Sequence, residues 1–586
     1  MLIGVSYFLK LNVGRLLKQD VACIKKIFVL AVCAIPILQA NGQYFSRPQY
    51  QKDYYVWPVD GIKAIVANFG ELRSNHYHMG LDCRTEQKEN LPILAAADGY
   101  IAKVKIEPWG FGRAIYIHHP NGHTSLYAHL NDFYPELENY IKEQQYKQKS
   151  WALFLDLPAN RFPVKKGQFI AYSGNTGGSQ GPHLHFEIRD TQSDKVLNPL
   201  LMGMPIADSI PPVIIRLAVY DRNKSTYEQT PRLYTLKKIN GIYVPTNGNI
   251  NINSNKVSFA ITAFDRYSGS TNQNGIYSGL LYENDLPVCG FKMDSISYDE
   301  TRYLNAHIDY RYKAAGGPYL QHLSRLPGND GGIYKSNGRD GVVDLDAGQS
   351  KPIKIAIADP AGNTALLQFT IQSTGSSKYG AGSGPLFEPG NINVFENEFV
   401  QFYLPEKALY DSFYFKYNKL LDAGGRNIYQ LHHALVPLQT YFTLRIRSDY
   451  FITDTSKAVI VRSFGGKKDY VKAVYQKGWY AAAFRAFGNF QLIQDNTPPQ
   501  IQPIGFTDGM HAAKLSRLVF SVTDNTEEIA SFTALLNGQW LRFTNDKGRR
   551  FVYRFDELCP PGAHVLELIV KDQAGNTTRK TYRFTR

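Results

Sequence analysis

Two segments of this chain repeat each other, and the repeat limits what it can fold into. Asp208-Ser-Ile-Pro-Pro212 matches Asp495-Asn-Thr-Pro-Pro499, and Ile355-Ala-Ile-Ala-Asp-Pro-Ala-Gly-Asn-Thr364 matches Leu568-Ile-Val-Lys-Asp-Gln-Ala-Gly-Asn-Thr577. In each copy alternating apolar residues enter an Ala-Gly-Asn turn and a second strand leaves it, the pattern of a hairpin. The double prolines mark boundaries, because the residue before a proline is pushed out of the helical region. The second copy, 495–586, has the size of an immunoglobulin-like sandwich. The first, 207–375, carries insertions rich in Gly and Asn around 266–345. Between them 386–494 also reads as strands, in runs such as Phe399-Val-Gln-Phe-Tyr403 and Tyr441-Phe-Thr-Leu-Arg-Ile-Arg447. The 39 Tyr and 33 Phe of the 586 residues lean the same way, since aromatic side chains suit strands. The expected fold class is therefore all-β and multidomain, with β-sandwich modules at the C-terminal end. The ordinary share of apolar and charged residues excludes a disordered or collagen-like chain.

The N-terminus reads as an export signal over 1–42. Lys25-Lys26 precedes the apolar run Ile27 to Leu38, followed by Ala40-Asn41-Gly42. As a helix that run rises only ~18 Å, against a hydrocarbon core of ~30 Å, so a signal fits better than a span. A signal anchor is the competing reading. With 1–42 removed, about +10 of the formal +14 charge remains. A cationic exported surface suits anionic polymers such as cell wall. No zinc-finger spacing or aromatic-basic RNA motif appears, which argues against nucleic acid. Cys83, Cys289 and Cys559, the cysteines beyond the signal, are far apart and odd in number. They offer no disulfide framework and are expected to be buried and inert.

Residues 43–206 read as short strands broken by Gly and Asn turns. The runs Ala114 to His119 and His123 to Leu130 flank Pro120-Asn121-Gly122. A two-residue Asn-Gly turn there pairs Ala114 with His129 and Tyr116 with Tyr127. Within 131–163, Leu137, Tyr140 and Ile141 recur at helical spacing, so one short amphipathic helix is expected over 136–147.

Histidine carries the chemistry. Eight of the 14 His lie between His76 and His185. Residues i and i+2 of a strand share a face, so His183 and His185 aim at one point, and Tyr127 and His129 share a face of their own strand. His78 and Asp82 bracket Gly80, which allows a bend bringing them together. Two imidazoles and a carboxylate make a three-ligand set that leaves the fourth tetrahedral position of a zinc ion for water. Such an ion lowers the pKa of that water and polarises a carbonyl, as amide hydrolysis requires. His118, His119 and His123 flank a turn and are expected to be solvated, and His432-His433 is read as surface. The run Gly174 to Gly181 lacks the Gly-Lys-Ser/Thr of a phosphate loop and reads as a turn feeding the His183 strand.

These residues resemble the lysostaphin-type zinc endopeptidases, secreted enzymes that cut peptide bonds in peptidoglycan. The match runs from Phe69-Gly70-x-x-Arg73 through His78-x-Gly80-x-Asp82, Ala95-Ala96-x-Asp98-Gly99 and Tyr127-Ala-His129-Leu130. It continues through Gly167-Gln168 and Gly181-Pro-His-Leu-His-Phe-Glu187 to Asn198-Pro199. It covers roughly 66–200. The resemblance implies that 43–206 is a small antiparallel β-barrel or sandwich peptidase domain binding one Zn2+ per chain. It implies His78, Asp82 and His185 as metal ligands, and His129 and His183 as the catalytic pair that activates the water and stabilises developing charge. His76 sits two residues before His78, and the family spacing favours His78. The segment 131–163 departs from the family, and is read as a lid, a substrate wall, a docking surface or a neutral elaboration. The reading that follows is an exported zinc metalloendopeptidase of the periplasm, cell envelope or extracellular space. Its partner is peptidoglycan, and it keeps no stable membrane span once the signal is cleaved. The competing classes are a non-catalytic activator of wall hydrolases and a wall-binding or adhesion protein that uses its β-sandwich modules.

Overall fold

The computed structural model describes residues 44–46, 48–375, 380, 382–548 and 550–586, and the chain is all-β and multidomain. The expected signal at 1–42 lies outside the described residues. Among those described, no helix is long and apolar enough to cross a membrane.

The N-terminal sheet positions the histidines. Its main path uses β1 (Ile65–Ala67), β2 (Leu81–Arg84), β3 (Gly99–Ile106), β4 (Arg113–His118), β5 (His123–Ala128), β6 (Leu153–Asp156) and β7 (His183–Asp190), in the order β1-β2-β7-β5-β4-β3-β6. The last strand in sequence is thus central in space, antiparallel to both β2 and β5. On β7, Leu184, Phe186 and Ile188 enter the core, which turns His183, His185 and Glu187 to the opposite face. The β4–β5 hairpin forms with a register one residue from that expected. Tyr116 pairs with Leu126 and Ile115 with Tyr127, and the last pair is His118 with Thr124. Of Asn121 and Gly122 only the glycine takes a positive φ, 81°. The connection is therefore a longer loop closed by the His119 amide on His123 O (2.9 Å), not a two-residue turn. His119 is buried there, contrary to expectation. Its Nδ1 lies 2.8 Å from Asp98 O and its Nε2 2.7 Å from Ser125 Oγ. His432 is likewise buried, against Phe413, instead of lying on the surface.

The expected helix is α1 (Pro135–Gln148), which starts on a proline and ends at Lys149 in the left-handed conformation. Leu137 and Ile141 are buried, and Trp151 joins the same core, whereas Phe154 is exposed. The strand that follows, β6, pairs with the edge of β3. At the far end of α1, Tyr146 packs edge-on against Trp540 (5.3 Å between centroids) and the Gln145 side-chain oxygen accepts from Arg542 (3.0 Å). The insertion is thus integral to the core on one side and docked against the C-terminal sheets on the other. Its buried Glu138 is an ion-pair partner of buried Arg113 and also accepts from the Phe133 amide (3.2 Å). Glu138→Ala leaves that buried guanidinium without its counter-ion, a loss of about 3–5 kcal/mol. The expected readout is a clearly lowered urea midpoint, with Glu138→Gln falling between parent and Ala. Equal midpoints for all three would show the pair to be irrelevant to stability.

Further along, β8 (Val213–Asp221), β9 (Lys256–Phe264), β10 (Ser350–Ala358) and β11 (Thr364–Ser373) belong to a 12-stranded sheet. β10 and β11 form the first repeated hairpin, ending at Ala358 opposite Thr364. Residues 393–494 form two five-stranded sheets. The last segment holds β12 (Arg517–Thr523) in a three-stranded sheet. Its four-stranded sheet holds β13 (Ala563–Asp572) and β14 (Thr577–Thr585), the second hairpin, ending at Lys571 opposite Thr577. The core around β8–β11 also takes in Phe69, Tyr77, Met79 and Val196, so apolar packing crosses the Pro-Pro boundary. Cys83, Cys289 and Cys559 are unpaired and fully buried, one in each of three cores.

Candidate metal centre

The pairing of β7 sets the site. His185 lies opposite Asp82 on one neighbour and Ala128 on the other, so side chains from β2 and β7 meet on one face. Gly80 allows this by its size and not by a special backbone angle. A Cβ there lies 2.5 Å from Phe186 O and 3.0 Å from His185 Cε1. His78 Nε2 is 2.8 Å from Asp82 Oδ1 and 3.0 Å from His185 Nδ1, and His185 Nδ1 is 3.0 Å from the same carboxylate oxygen. His76, by contrast, is exposed and bonds Ser74 O.

The remaining nitrogens explain why three such groups crowd together. His78 Nδ1 lies 2.8 Å from Asn68 O, where a ring N–H donates and leaves a lone pair on Nε2 facing the Asp82 carboxylate. His185 Nε2 lies 2.9 Å from Glu187 Oε1, which fixes that ring with Nδ1 inward. Two acceptors face each other, and only a proton or a cation between them answers both. Burial disfavours the imidazolium of His185, but the carboxylates of Asp82 and Glu187 outweigh it and raise its pKa to about 9. Burial likewise opposes ionisation of Asp82, and the imidazoles of His78, His183 and His185 hold it well below the usual carboxylate range. The donor set fits a divalent ion that accepts two imidazoles and a carboxylate, as zinc does, with outer partners fixing each ring.

His129 and His183 flank this group, their rings 4.9 Å apart, with His183 Nε2 3.3 Å from Asp82 Oδ1. His129 takes a positive φ of 61° after the end of β5. It therefore turns away from Tyr127, whose side chain enters the core and accepts from the Ala96 amide (2.7 Å), and the expected shared face is not formed. His129 Nδ1 lies 2.8 Å from Thr176 O and His183 Nδ1 2.8 Å from Gly181 O, so Nε2 is the nitrogen left for chemistry on each. Burial, reinforced by His185 and His183, lowers the pKa of His129 to about 3 and keeps it neutral.

The loop 174–181 thus orients both flanking histidines, and it is itself held from a distance. The Gly177 amide donates to Asp546 Oδ1 (2.7 Å), and Lys547 Nζ donates to Ser179 O (2.9 Å). A Cβ at Gly177 meets Gly112 N at 2.3 Å, so only glycine fits there. Behind the metal group Glu187 is fully buried, paired with Arg189 (2.7 Å), and accepts from the Tyr298 hydroxyl (2.5 Å). A cleft of about 760 Å³ opens beside Pro182, with Lys63 and Arg84 among its lining residues. Sequence reasoning assigns no role to Asn68, Glu187, Tyr298, Asp546 or Lys547. Glu187 alone carried a signal, its spacing of two from His185.

A model of peptidase family M23 matches residues 76–146 and 160–199, on either side of the insertion, and one of a Zu5-like domain matches 385–495. The chain is 29% identical over 174 residues to the uncharacterized metalloprotease of Haemophilus influenzae, covering 28% of this chain and 31% of that protein. It is 33% identical over 134 residues to the DD-carboxypeptidase/endopeptidase Mpg of Neisseria meningitidis serogroup B, covering 23% and 24%. It is 26% identical over 182 residues to the peptidoglycan DD-endopeptidase ShyA of Vibrio cholerae, covering 30% and 36%. The chain therefore spans only a quarter to just over a third of these relatives. The residues that build the histidine geometry thus lie in a segment that matches peptidase family M23.

Proposed function

We propose that the chain is an exported zinc endopeptidase that hydrolyses peptide bonds in the stem peptides or cross-bridges of peptidoglycan. The observation that carries the reading is the convergence of His78 Nε2, Asp82 Oδ1 and His185 Nδ1 with two further histidines at its margin. The named peptidoglycan peptidases among its relatives support the substrate class. His78, Asp82 and His185 would hold one zinc ion per chain, which would supply Lewis-acid chemistry to a scissile carbonyl and a water. His129, neutral and anchored through Nδ1, accepts a proton at Nε2 from the attacking water and delivers it to the leaving amine. His183, anchored through Nδ1 on Gly181 O, donates from Nε2 to the oxygen that gains charge when it is the imidazolium. Asn68 and Glu187 hold the ligand rings in register. The segment 43–206 acts as the peptidase domain, and 207–375, 386–494 and 495–586 as β-sandwich modules for spacing or wall contact.

Retention of all five histidine and aspartate positions favours the enzyme over a non-catalytic activator, which needs none of them. Purified sacculi digested with the zinc-loaded full chain should release peptide fragments, and their masses identify the bond cut. Absence of fragments from sacculi and from isolated stem peptides at full zinc occupancy would reject the enzyme reading.

A further inference from the structure

Away from the histidines, each repeated segment brings three aspartates together. In the first, Asp208 arrives before β8, Asp265 follows β9 and Asp359 follows β10. In the second, Asp495 enters the segment, Asp524 follows β12 and Asp572 ends β13. One oxygen from each residue lies within 4.8 Å of the others of its trio. The first and last members of the two trios match atom by atom. Oδ1 of Asp208 accepts from the Ile210 amide (3.0 Å) and Oδ1 of Asp495 from the Thr497 amide (3.1 Å). Oδ1 of Asp359 accepts from the Gly362 and Asn363 amides, and Oδ1 of Asp572 from those of Gly575 and Asn576.

What remains is a set of buried oxygens with nothing to bond. Asp265 is 0% exposed, and neither of its carboxylate oxygens has a partner. Oδ2 of Asp208, Oδ2 of Asp495 and Oδ1 of Asp524 are buried and orphaned in the same way. A buried carboxylate oxygen without a partner is costly, and three in one place repel each other as well. Recurrence of the arrangement in two copies of different sequence shows that it is built and not a local accident.

We propose that each trio binds one calcium ion. The donors are all hard oxygens, which suits calcium or magnesium better than zinc with its preference for nitrogen and sulfur. They come from three separate segments at the ends of strands, an irregular arrangement that suits a cation taking six to eight oxygens at about 2.3–2.6 Å better than magnesium, which demands a near-ideal octahedron. Both ions occupy the point where the chain enters a sandwich from the preceding domain, and so stiffen that junction. The first also braces the loop that follows Asp265. From that loop the Tyr267 hydroxyl accepts from Asn68 (3.2 Å) and Gly275 O from the same side-chain amide (2.8 Å), and Asn68 is the residue that faces His78.

The test is calorimetric titration of calcium into the full chain, freed of calcium and then loaded with one equivalent of zinc. Two calcium ions per chain are expected. Asp265→Asn should remove one, Asp524→Asn the other, and the double variant both, with zinc content unchanged throughout. Each substitution removes an unanswered charge, so the calcium-free variants should melt no lower than the parent. The parent should gain several degrees on adding calcium, and the double variant none. Fewer than two ions on the parent, two ions retained by either single variant, or equal affinity for magnesium overturns the proposal. Since zinc content is read in the same samples, failure here is separate from failure of the peptidase reading.

Discussion

Replacing His78, Asp82 or His185 with alanine should abolish the proposed stoichiometric zinc and peptide hydrolysis together, because two remaining donors do not hold the ion against water. Replacing His129 or His183 leaves zinc bound and lowers turnover by about 10²–10⁴-fold, the usual weight of a positioned acid or base. Metal analysis of the five variants beside their turnover on a synthetic stem peptide separates the two groups. Zinc lost from His129→Ala but kept by His78→Ala would falsify the assignment of roles. The same centre predicts a proton count. The carboxylates of Asp82 and Glu187 outweigh burial and push the pKa of His185 up to about 9, which favours a proton on Nδ1 near neutral pH that an incoming ion displaces. Zinc uptake near pH 7 should therefore release about one proton per chain, read from calorimetry in buffers of different ionisation enthalpy. Uptake without proton release would show that Nδ1 of His185 is already free of a proton near pH 7.

The second large effect is expected far from the metal in sequence. Asp546→Ala combined with Lys547→Ala frees the loop 174–181, whose carbonyls at Thr176 and Gly181 orient His129 and His183. No metal ligand belongs to that loop, so zinc content should not change. Turnover should fall about 10–100-fold, since catalytic groups misplaced by an ångström lose that much. A purely structural role lowers the melting temperature without this selective loss of kcat, and Asp546→Asn, which keeps an acceptor for the Gly177 amide, should recover much of it. Unchanged kcat in the double variant would mean that the loop holds its shape unaided.

The sequence made visible whatever repeats with a short period or comes in a spaced motif. The alternation on β7 placed Leu184 and Phe186 opposite His183 and His185, and the two Ala-Gly-Asn turns marked both late hairpins. The helical spacing of Leu137 and Ile141 located α1. Periodicity names a face and not the surface it meets. Nothing local told that Trp151 is buried, that Glu138 answers Arg113, or that Tyr146 meets Trp540. The register of the β4–β5 hairpin was missed because Asn-Gly is compatible with more than one loop length, and the sequence does not say which residue takes the positive φ. His129 escaped the strand rule for the same reason, since one residue at a positive φ of 61° changes which way every later side chain points. In the sequence Gly80 suggests flexibility, whereas its role is the close approach of two strands that come together only in space.

The three buried thiols turn the molecule into its own reporter. Cys83, Cys289 and Cys559 sit in three different cores, and burial raises the pKa of each, so a folded chain presents almost no thiolate to an alkylating reagent. Each reacts only when its own core opens, and the rate at which it does so measures the free energy of that opening. Peptide mapping after a timed pulse of alkylation therefore resolves the order in which the regions come apart, without any engineered label. Since apolar packing joins Phe69 and Tyr77 to the core that holds Cys289, that thiol records the loosening of the seam between the first two regions as well as the melting of the sheet around it.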